Sequence, residues 1–366
     1  MSIMKKQLSY SALALTLVLT LFSCRGNKDN NGPYESGIFI SNEGIAENAS
    51  GSITYVNRDA SKAKTDIYEI ENNSRIGGLV QGIALWQDNA YILVNRGEPK
   101  VQVVDAATFI KKATITNIGT PRYFLGINSR KAYISSWGLD NCICVVDLYN
   151  NKVESRIIVG DGPDIMYKKD KYVYVANAGR ITEFQNEQTD NKISVIDAEK
   201  NSVIKTIEVG DVPNGIVSDA MGKIWVICRG KGWTGMDDVT DTPGKIVSID
   251  PQNGFAVEVA YAFPSKTIHP KWLSISKDGS TLYYLYNEGL YKFDTKTKSE
   301  PIEMVHYKNK FDKSFYSLGY QASQGLLYCS DINNYGQGLV IRYNESGQAK
   351  DTIKTGIAPG GFAFTY

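Results

Sequence analysis

A sequence unit recurs seven times along this chain, and the repetition restricts the possible folds more than any other feature. The recurring elements are two apolar strands, a polar turn beginning with Asp or Asn, a third strand and a hinge, which reads Gly-x-x-Pro in its clearest copies. The clearest copy lies between Lys171 and Gly215, where KYVYVAN is followed by KISVIDAEKNSVIKTIEVGDVPNG. Self-similarity at a period of about 40 to 50 residues is typical of propellers and solenoids. We therefore expect a fold built from small repeated sheets.

Two ladders of polar residues mark the units. The first closes the third strand of each unit, at intervals of 48, 42, 50, 53, 44 and 50 residues: Asn57, Asp105, Asp147, Asp197, Asp250, Asp294 and Asn344. Because Asx side chains accept hydrogen bonds from backbone amides two residues on, these seven are predicted to cap turns. The second ladder ends the preceding strand: Asn42, Asn95, Ser136, Asn177, Cys228, Asn287 and Asp331.

The two chain ends predict how the repeats close. The segment 360–366 (GGFAFTY) resembles a first strand without a second, whereas Gly37 to Asn73 supplies GIFISN, SITYVN and TDIYEIE as the other three strands. Their pairing would remove the free sheet edges that invite aggregation. We therefore predict an all-β domain over 37–366, a seven-bladed β-propeller with four antiparallel strands per blade. The C-terminal strand joins the N-terminal blade.

Charge and composition limit the partners. The chain has 40 basic and 39 acidic residues and a net charge of +1, so no global field favours nucleic acid. It is rich in aromatic residues, with 23 Tyr and 5 Trp, which suit both blade packing and ligand stacking. We expect a monomer.

The N-terminus predicts export. Lys5 and Lys6 precede an apolar run, Leu13 to Phe22, that is too short for a permanent membrane helix and typical of a signal peptide over 1–23. Leu21-Phe22-Ser23-Cys24 resembles a bacterial lipobox, which implies lipidation of Cys24 and a flexible tether over 24–36. An ordinary cleaved signal is the alternative. The absence of Asp after the Cys favours the outer membrane, and we expect the cell surface, with the periplasmic face as the alternative.

The cysteines and histidines give no pattern for metal or catalysis. Cys142, Cys144, Cys228 and Cys329 are predicted to be small core residues, and a zinc site is not expected with only His269 and His306 available. Neither a nucleophile elbow nor a phosphate loop is present in the sequence. We predict a protein that is not an enzyme and has no cofactor.

The unit YVYVANAG followed by NKISVIDAEKNSVIKTIEVGDVPNG resembles the YVTN repeat of YncE-like and surface-layer-associated propellers. With the lipobox and the length, the chain is similar to propeller lipoproteins of Bacteroidetes, among them the BtuG-like proteins. That resemblance implies capture of cobalamin or another corrinoid at the cell surface and delivery to a TonB-dependent outer-membrane transporter.

The propeller topology predicts where a ligand binds. Loops between second and third strands, and hinges between blades, emerge on one face, where loop lengths vary most and binding residues are expected. The first strands are predicted to bring seven residues to the channel mouth on this face: Arg122, Tyr123, Asp164, Asn214, Lys271, Trp272 and Tyr316. All of these except Lys271 are selected as binding residues, together with residues of the loops and of the second ladder: Arg96, Trp137, Asn177, Phe184, Arg229, Trp233, Asn287, Asp331 and Tyr335. Aromatic faces and hydrogen-bond donors together suit a large amphipathic ligand.

Two other function classes remain open. One is an envelope module that binds protein or glycan and no small molecule. The other is a propeller enzyme of the lactonase, lyase or quinoprotein type. For such an enzyme, the carboxylates of Glu43, Asp164, Glu288 and Asp331 would be the candidates to hold a cation such as calcium.

Overall fold

The structure is a computed structural model and describes residues 32–138, 141–181, 187–232, 238–333 and 336–365. Within these ranges, seven four-stranded antiparallel sheets follow one another along the chain. The first strand of each sheet contacts the first strand of the next, and the last returns to the first, so the sheets form a closed ring. This arrangement confirms the predicted seven-bladed β-propeller.

The strands are numbered along the chain. Blade 7 takes its outer three strands from the N-terminus: β1 (Gly37–Asn42), β2 (Ser52–Asn57) and β3 (Ala63–Lys64). Blade 1 contains β4 (Gly78–Trp86), β5 (Asn89–Gly97), β6 (Lys100–Asp105) and β7 (Lys111–Ile115). Blade 2 contains β8 (Thr120–Gly126), β9 (Lys131–Trp137), β10 (Cys142–Asp147) and β11 (Lys152–Ile158).

Blade 3 contains β12 (Pro163–Lys169), β13 (Tyr172–Asn177), β16 (Lys192–Asp197) and β17 (Ser202–Glu208), with a small extra hairpin of β14 (Arg180–Ile181) and β15 (Glu187–Gln188). Blade 4 contains β18 (Pro213–Ser218), β19 (Ile224–Cys228), β20 (Lys245–Asp250) and β21 (Ala256–Ala262).

Blade 5 contains β22 (Lys271–Ile275), β23 (Thr281–Tyr286), β24 (Gly289–Asp294) and β25 (Ile302–His306). Blade 6 contains β26 (Leu318–Gln321), β27 (Leu326–Asp331), β28 (Leu339–Asn344) and β29 (Ala349–Lys354), and β30 (Pro359–Phe364) is the first strand of blade 7. The helices are α1 (Ile67–Asn72) and two single 3-10 turns at Ala46–Asn48 and Pro251–Asn253. None of the helices in the described ranges is long and apolar enough to cross a membrane.

The core lies between the blades. Second and third strands are buried on both faces, as in β10 and β13, because each sheet is covered by its two neighbours. Val101, Val103, Val173 and Val175 are at most 1% exposed, and each buried valine contributes roughly 1.5 kcal/mol or more. The four cysteines from Cys142 to Cys329 are buried in this core, as predicted.

The Asx ladder caps the turns between third and fourth strands, as predicted. The side-chain Oδ1 of Asp197 accepts from the backbone N–H of Glu199 at 3.0 Å and of Lys200 at 3.1 Å. Each of the other six members also accepts at least one backbone N–H of its own turn. These turns define one end of the ring, which we call the turn face, and the opposite end is the mouth face.

The first residue of the Gly-x-x-Pro hinge must be glycine where it packs closely against a residue of the second ladder. A Cβ at Gly160 would lie 2.6 Å from Cγ of Asn177, and one at Gly356 would lie 2.7 Å from Cγ of Asn42. Because both distances are shorter than real Cβ contacts, any side chain at these hinges would push the ladder amide out of place. At these two Gly-x-x-Pro hinges, the blades are therefore joined through a contact that only glycine allows, whereas a Cβ at Gly210 would lie 3.3 Å from Cys228.

Ring closure is confirmed, but the fourth strand of blade 7 differs from the prediction. β30 pairs antiparallel with β1, with Ile40 opposite Phe362. The segment TDIYEIE, predicted as a strand, instead forms α1 after a fourth strand of only two residues. Adjacent Ile67 and Tyr68 are both buried, which a helix allows and an exposed outer strand does not.

The chain is packed from Gly32 onward, so the end of the predicted 24–36 tether belongs to the folded unit. Tyr34 is 1% exposed, and its hydroxyl donates to Oε1 of Glu71 at 2.6 Å. Its backbone N–H donates to the carbonyl of Ala107 at 3.0 Å, and its ring packs edge-on against Phe109. We call this contact the N-terminal clasp. It lies on the turn face, because Ala107 belongs to the Asx turn of blade 1.

Candidate functional site

One position of each first strand forms a ring at the channel mouth. It follows the hinge residue and stands two residues before a large apolar residue, as in Pro121-Arg122-Tyr123-Phe124. The seven mouth residues are Gln81, Arg122, Asp164, Asn214, Lys271, Tyr316 and Gly360. Six of the seven first strands have a register shift here. Such bulges change the direction of a side chain near a site.

Blades 1 to 3 contribute a connected polar chain. Nη1 of Arg122 donates to Oε1 of Gln81 at 2.6 Å, and Nη2 and Nε donate to the two carboxylate oxygens of Asp164 at 3.2 and 3.4 Å. Asn95 also donates to Oε1 of Gln81, at 2.6 Å. The side chains of Arg122 and Asp164 are only 18% and 14% exposed, so this bidentate pair is largely removed from water.

Trp137 packs against the ion pair of Arg122 and Asp164. The guanidinium of Arg122 lies over the indole, 4.1 Å from its centroid, and the indole N–H donates to the carbonyl of Pro163 at 3.0 Å. Cation–π contacts of this kind add roughly 0.5 to 2 kcal/mol. Trp137 therefore fixes Arg122 at the mouth and ties blade 2 to blade 3.

Replacing Arg122 with leucine is expected to lower the free energy of unfolding by about 3 kcal/mol, because it leaves the carboxylate of Asp164 buried without its partner. Urea unfolding followed by tryptophan fluorescence would measure the change. The exposed Arg130 provides the control, and Arg130→Leu should stay within about 0.5 kcal/mol of the wild type. The double variant with Asp164→Leu should recover part of the loss. A loss equal to that of Arg130→Leu would contradict the ion-pair assignment.

Glu43 occupies the place left by the one mouth residue without a side chain. A Cβ on Gly360 would lie 2.9 Å from Oε1 of Glu43, and the hydroxyl of Tyr316 donates to the same oxygen at 2.6 Å. Burial raises the pKa of the Glu43 carboxyl, although the Tyr316 hydrogen bond and the nearby Arg122 and Arg96 oppose the shift. Burial, reinforced by the Glu43 charge, also raises the pKa of Tyr316, which keeps this phenol protonated.

Blade 5 presents a strained tryptophan beside a lysine. Trp272 has a φ of 58°, in the left-handed region that bulky residues rarely adopt, and its indole N–H donates to the carbonyl of Tyr316 at 2.8 Å. The Nζ of Lys271 lies 6.0 Å from the ring centroid of Tyr316. Burial lowers the pKa of Lys271 to about 8, and no carboxylate of the described residues forms an ion pair with it.

Of the predicted binding residues, the structure brings seven together around the mouth. Arg122, Asp164, Asn214 and Tyr316 are mouth residues, Tyr123 and Trp272 follow two of them in sequence, and Trp137 stacks on Arg122. Arg96 is exposed beside this group and lowers the pKa of Glu43. Burial raises the pKa of Tyr123, so its hydroxyl also stays protonated.

Three predicted residues instead hold loops in place. Asn177 is fully buried and donates to Ser194 Oγ at 3.0 Å. Asp331 is 4% exposed and accepts from the hydroxyl of Tyr307 at 2.9 Å. Asn287 has a positive φ of 42° in the tight turn between β23 and β24. The structure therefore gives each of the three a role at a strand end or in a turn.

The remaining predicted residues divide into two sets. Arg229 follows β19 and is half-buried, and burial lowers its pKa. Its carbonyl oxygen accepts a hydrogen bond from Nδ1 of His269, at 2.9 Å. Phe184, Trp233, Tyr335 and Cys24 lie outside the described residues.

A cation site is not formed by the four carboxylates considered from the sequence. Glu43 is bound by Tyr316, Asp164 by Arg122, Asp331 by Tyr307, and Glu288 lies 3.0 Å from the Nζ of Lys308. Across the described part of the chain, His, Cys, Asp and Glu nowhere gather in a group of three that would hold a metal ion.

Sequence reasoning missed Gln81 and the pairing of Glu43 with Tyr316. Gln81 stands two residues before Ile83, as Arg122 stands two before Phe124, so an alignment of the repeats would have found it. Glu43 and Tyr316 are separated by 273 positions, and they meet only because the ring closes.

Together, these features define a seven-bladed β-propeller with a polar and aromatic channel mouth. The chain belongs to the family described as Domain of unknown function (DUF5074), whose model matches residues 36–357. No curated protein matches it.

Solved structures show the same fold at low identity. The quinonprotein alcohol dehydrogenase-like protein of Bacteroides thetaiotaomicron has a TM-score of 0.65 and 14% identity, over 91% of this chain and 79% of that one. The periplasmic gluconolactonase of Pseudomonas aeruginosa has a TM-score of 0.64 and 10% identity, over 90% and 98%. Hydrazine synthase of Kuenenia stuttgartiensis has a TM-score of 0.61 and 17% identity, over 78% and 89%.

Proposed function

We propose that this protein captures a small amphipathic molecule at the channel mouth. The observation that carries the proposal is the contrast between the two cations of the mouth. Arg122 donates to both Gln81 and Asp164, whereas Lys271 has no hydrogen-bond acceptor among the described residues. The side-chain oxygen of its neighbour Asn214 has no donor there either, as is also true of the buried amide oxygens of Asn42, Asn95 and Asn177 in the second ladder. Buried polar groups are normally paired, and a ligand would supply the missing partners.

A corrinoid is the ligand we propose first. It combines a flat macrocycle, primary amides and one phosphodiester. Tyr123, Trp272 and Tyr316 are half-buried and offer aromatic surface for the macrocycle, while Arg96 and Lys271 offer charge for the phosphodiester. We further propose that lipidated Cys24 anchors the protein to the outer membrane, where a TonB-dependent transporter would receive the ligand.

Titration calorimetry of residues 25–366 with cyanocobalamin tests the proposal. These residues include the whole compact unit that begins at Gly32. We expect saturable 1:1 binding with a Kd below about 1 µM, or roughly −8 kcal/mol. Absence of heat at two temperatures would reject the corrinoid.

Trp137→Ala is expected to weaken this binding about tenfold, or roughly 1.4 kcal/mol, because Arg122 loses the ring that fixes its position. The same titration measures the effect. Tyr149 is 79% exposed in the turn that follows Asp147, so Tyr149→Ala is the aromatic control and should bind as the wild type does. Equal affinities for the two variants would place the binding site elsewhere.

A hydrolase of the lactonase type is the second candidate. The observation that favours it is the lysine at the mouth, since a pKa of about 8 suits a general base near neutral pH. Acid release from glucono-1,5-lactone, followed in a weakly buffered solution, tests this candidate. Turnover that is lost in Lys271→Met would favour the enzyme over capture without reaction.

A further inference from the structure

Two buried acceptors without a donor and a lysine without an anion lie in or beside the hinges of blades 4 and 5. Oδ1 of Asn214 and Nε2 of His269 are buried and accept no hydrogen bond in the described chain. Asn214 and Lys271 are mouth residues of adjacent blades, and Nδ2 of Asn214 donates to the carbonyl of Pro270 at 3.5 Å. This bond holds the amide in one orientation, so its oxygen is the atom left to accept.

The tautomer of His269 follows from its one hydrogen bond. Its Nδ1 lies 2.9 Å from the carbonyl oxygen of Arg229, and a carbonyl oxygen only accepts, so Nδ1 carries the proton. Burial lowers the pKa of His269, which keeps the ring neutral at pH 7 and leaves Nε2 as an acceptor. His269 and Asn214 therefore both have an acceptor atom that no donor of the described residues reaches.

Lys271 has the opposite requirement. Its ammonium group has three donors, and it faces the ring of Tyr316 rather than a carboxylate. By contrast, Arg122 on the other side of the mouth has both Gln81 and Asp164 as acceptors. Lys271 is half-buried, and a cation partly removed from water without an anion is costly. A ligand that supplies the anion would remove this cost.

We propose that Lys271 and Asn214 form a subsite for an anionic oxygen group, a phosphate or a carboxylate, on a ligand that also carries hydroxyl or primary amide donors. Lys271 donates to the anionic oxygens. Asn214 Oδ1 accepts from the neighbouring donors. The inference rests on the proposed capture function and names the chemical group that the mouth selects.

Two ligand pairs that differ in the phosphate test the subsite. Cyanocobalamin carries a phosphodiester, with its attached nucleoside, that dicyanocobinamide lacks, and glucose 6-phosphate carries a phosphomonoester that glucose lacks. Each would be titrated by calorimetry into residues 25–366 of the wild type, Lys271→Met and Asn214→Asp. Asn214→Asp is included in case Lys271→Met misfolds. It keeps Lys271, but its carboxylate would pair with the lysine and take the place of the ligand's anionic group. Lys200→Met, at an exposed lysine in the Asx turn of blade 3, is the matched control.

We expect both mouth variants to bind the phosphate-bearing member of a pair at least tenfold more weakly, while the phosphate-free member and the control are unchanged. If Lys271→Met binds cyanocobalamin as the wild type does, the subsite is overturned and the capture function stands. If the wild type binds no corrinoid but binds glucose 6-phosphate in a Lys271-dependent way, the subsite stands and the corrinoid is rejected. Lack of any Lys271-dependent binding to either phosphate overturns the subsite.

Discussion

Replacing Lys271 with methionine is expected to raise the free energy of unfolding of the unliganded protein at pH 7 by about 3 kcal/mol. The reason is that burial lowers the pKa of Lys271 in the folded state from its ordinary 10.5 to about 8. At pH 7 the folded protein must therefore hold a charge that the unfolded chain solvates more easily. Methionine keeps the apolar stem and removes that charge.

The pH dependence distinguishes this cause from simple repacking. Because the folded pKa is lowered, the penalty is complete below pH 8 and decreases as the pH rises from about 8 to 10.5, where the unfolded lysine also loses its proton. Tyr316 and His269 beside Lys271 change little over that range, since burial raises the pKa of Tyr316 and lowers that of His269.

Urea unfolding of the wild type and of Lys271→Met at pH 7 and pH 10 would measure the difference in their free energies of unfolding. We expect this difference to be smaller at pH 10. Lys200→Met should unfold with the same free energy as the wild type at both pH values. A difference of equal size at both values would contradict a charge effect, and a less stable variant at pH 7 would contradict the burial of an unpaired ammonium.

Deleting residues 359–366 is expected to abolish cooperative folding. The deletion removes β30, so β1 loses its inner neighbour and the ring opens. Phe362 and Phe364 also leave the ring of Tyr328 in blade 6, where their centroids lie 5.9 and 5.2 Å away. Two lost aromatic side chains alone would cost roughly 6 kcal/mol, comparable to the whole stability of many domains.

Circular dichroism during heating would show the loss as a missing transition. A matched truncation that removes only Tyr366 is the control and should melt as the full chain does. Adding a synthetic peptide of residues 355–366 should restore the transition, because it supplies the same strand in trans. A truncated protein that melts normally without the peptide would contradict closure through β30.

The fold could be predicted because the interactions that define each blade are local. The turn-capping Asx residues, such as Asp197, and the hinge glycines, such as Gly160, act on neighbouring backbone or on the next ladder position, and they recur at each unit. α1 was missed because TDIYEIE alternates like a strand. The helix depends instead on space left by the two-residue β3, which only the packed ring defines.

The site could be predicted in position but not in pairing. Repeat equivalence places Arg122, Asp164 and Asn214 at the mouth. However, the sequence does not reveal that Arg122 satisfies Asp164 while Lys271 stays unpaired, because both facts depend on side-chain directions across different blades. This difference in pairing between Arg122 and Lys271 arises only when the ring is closed.

The N-terminal clasp determines how the ring is presented. Tyr34 and Ala107 bind the incoming chain on the turn face, the end of the ring opposite the mouth. The chain therefore enters the ring at the end opposite the mouth. We expect a protein immobilised through a tag placed before Gly32 to bind molecules at the mouth as well as the free protein does.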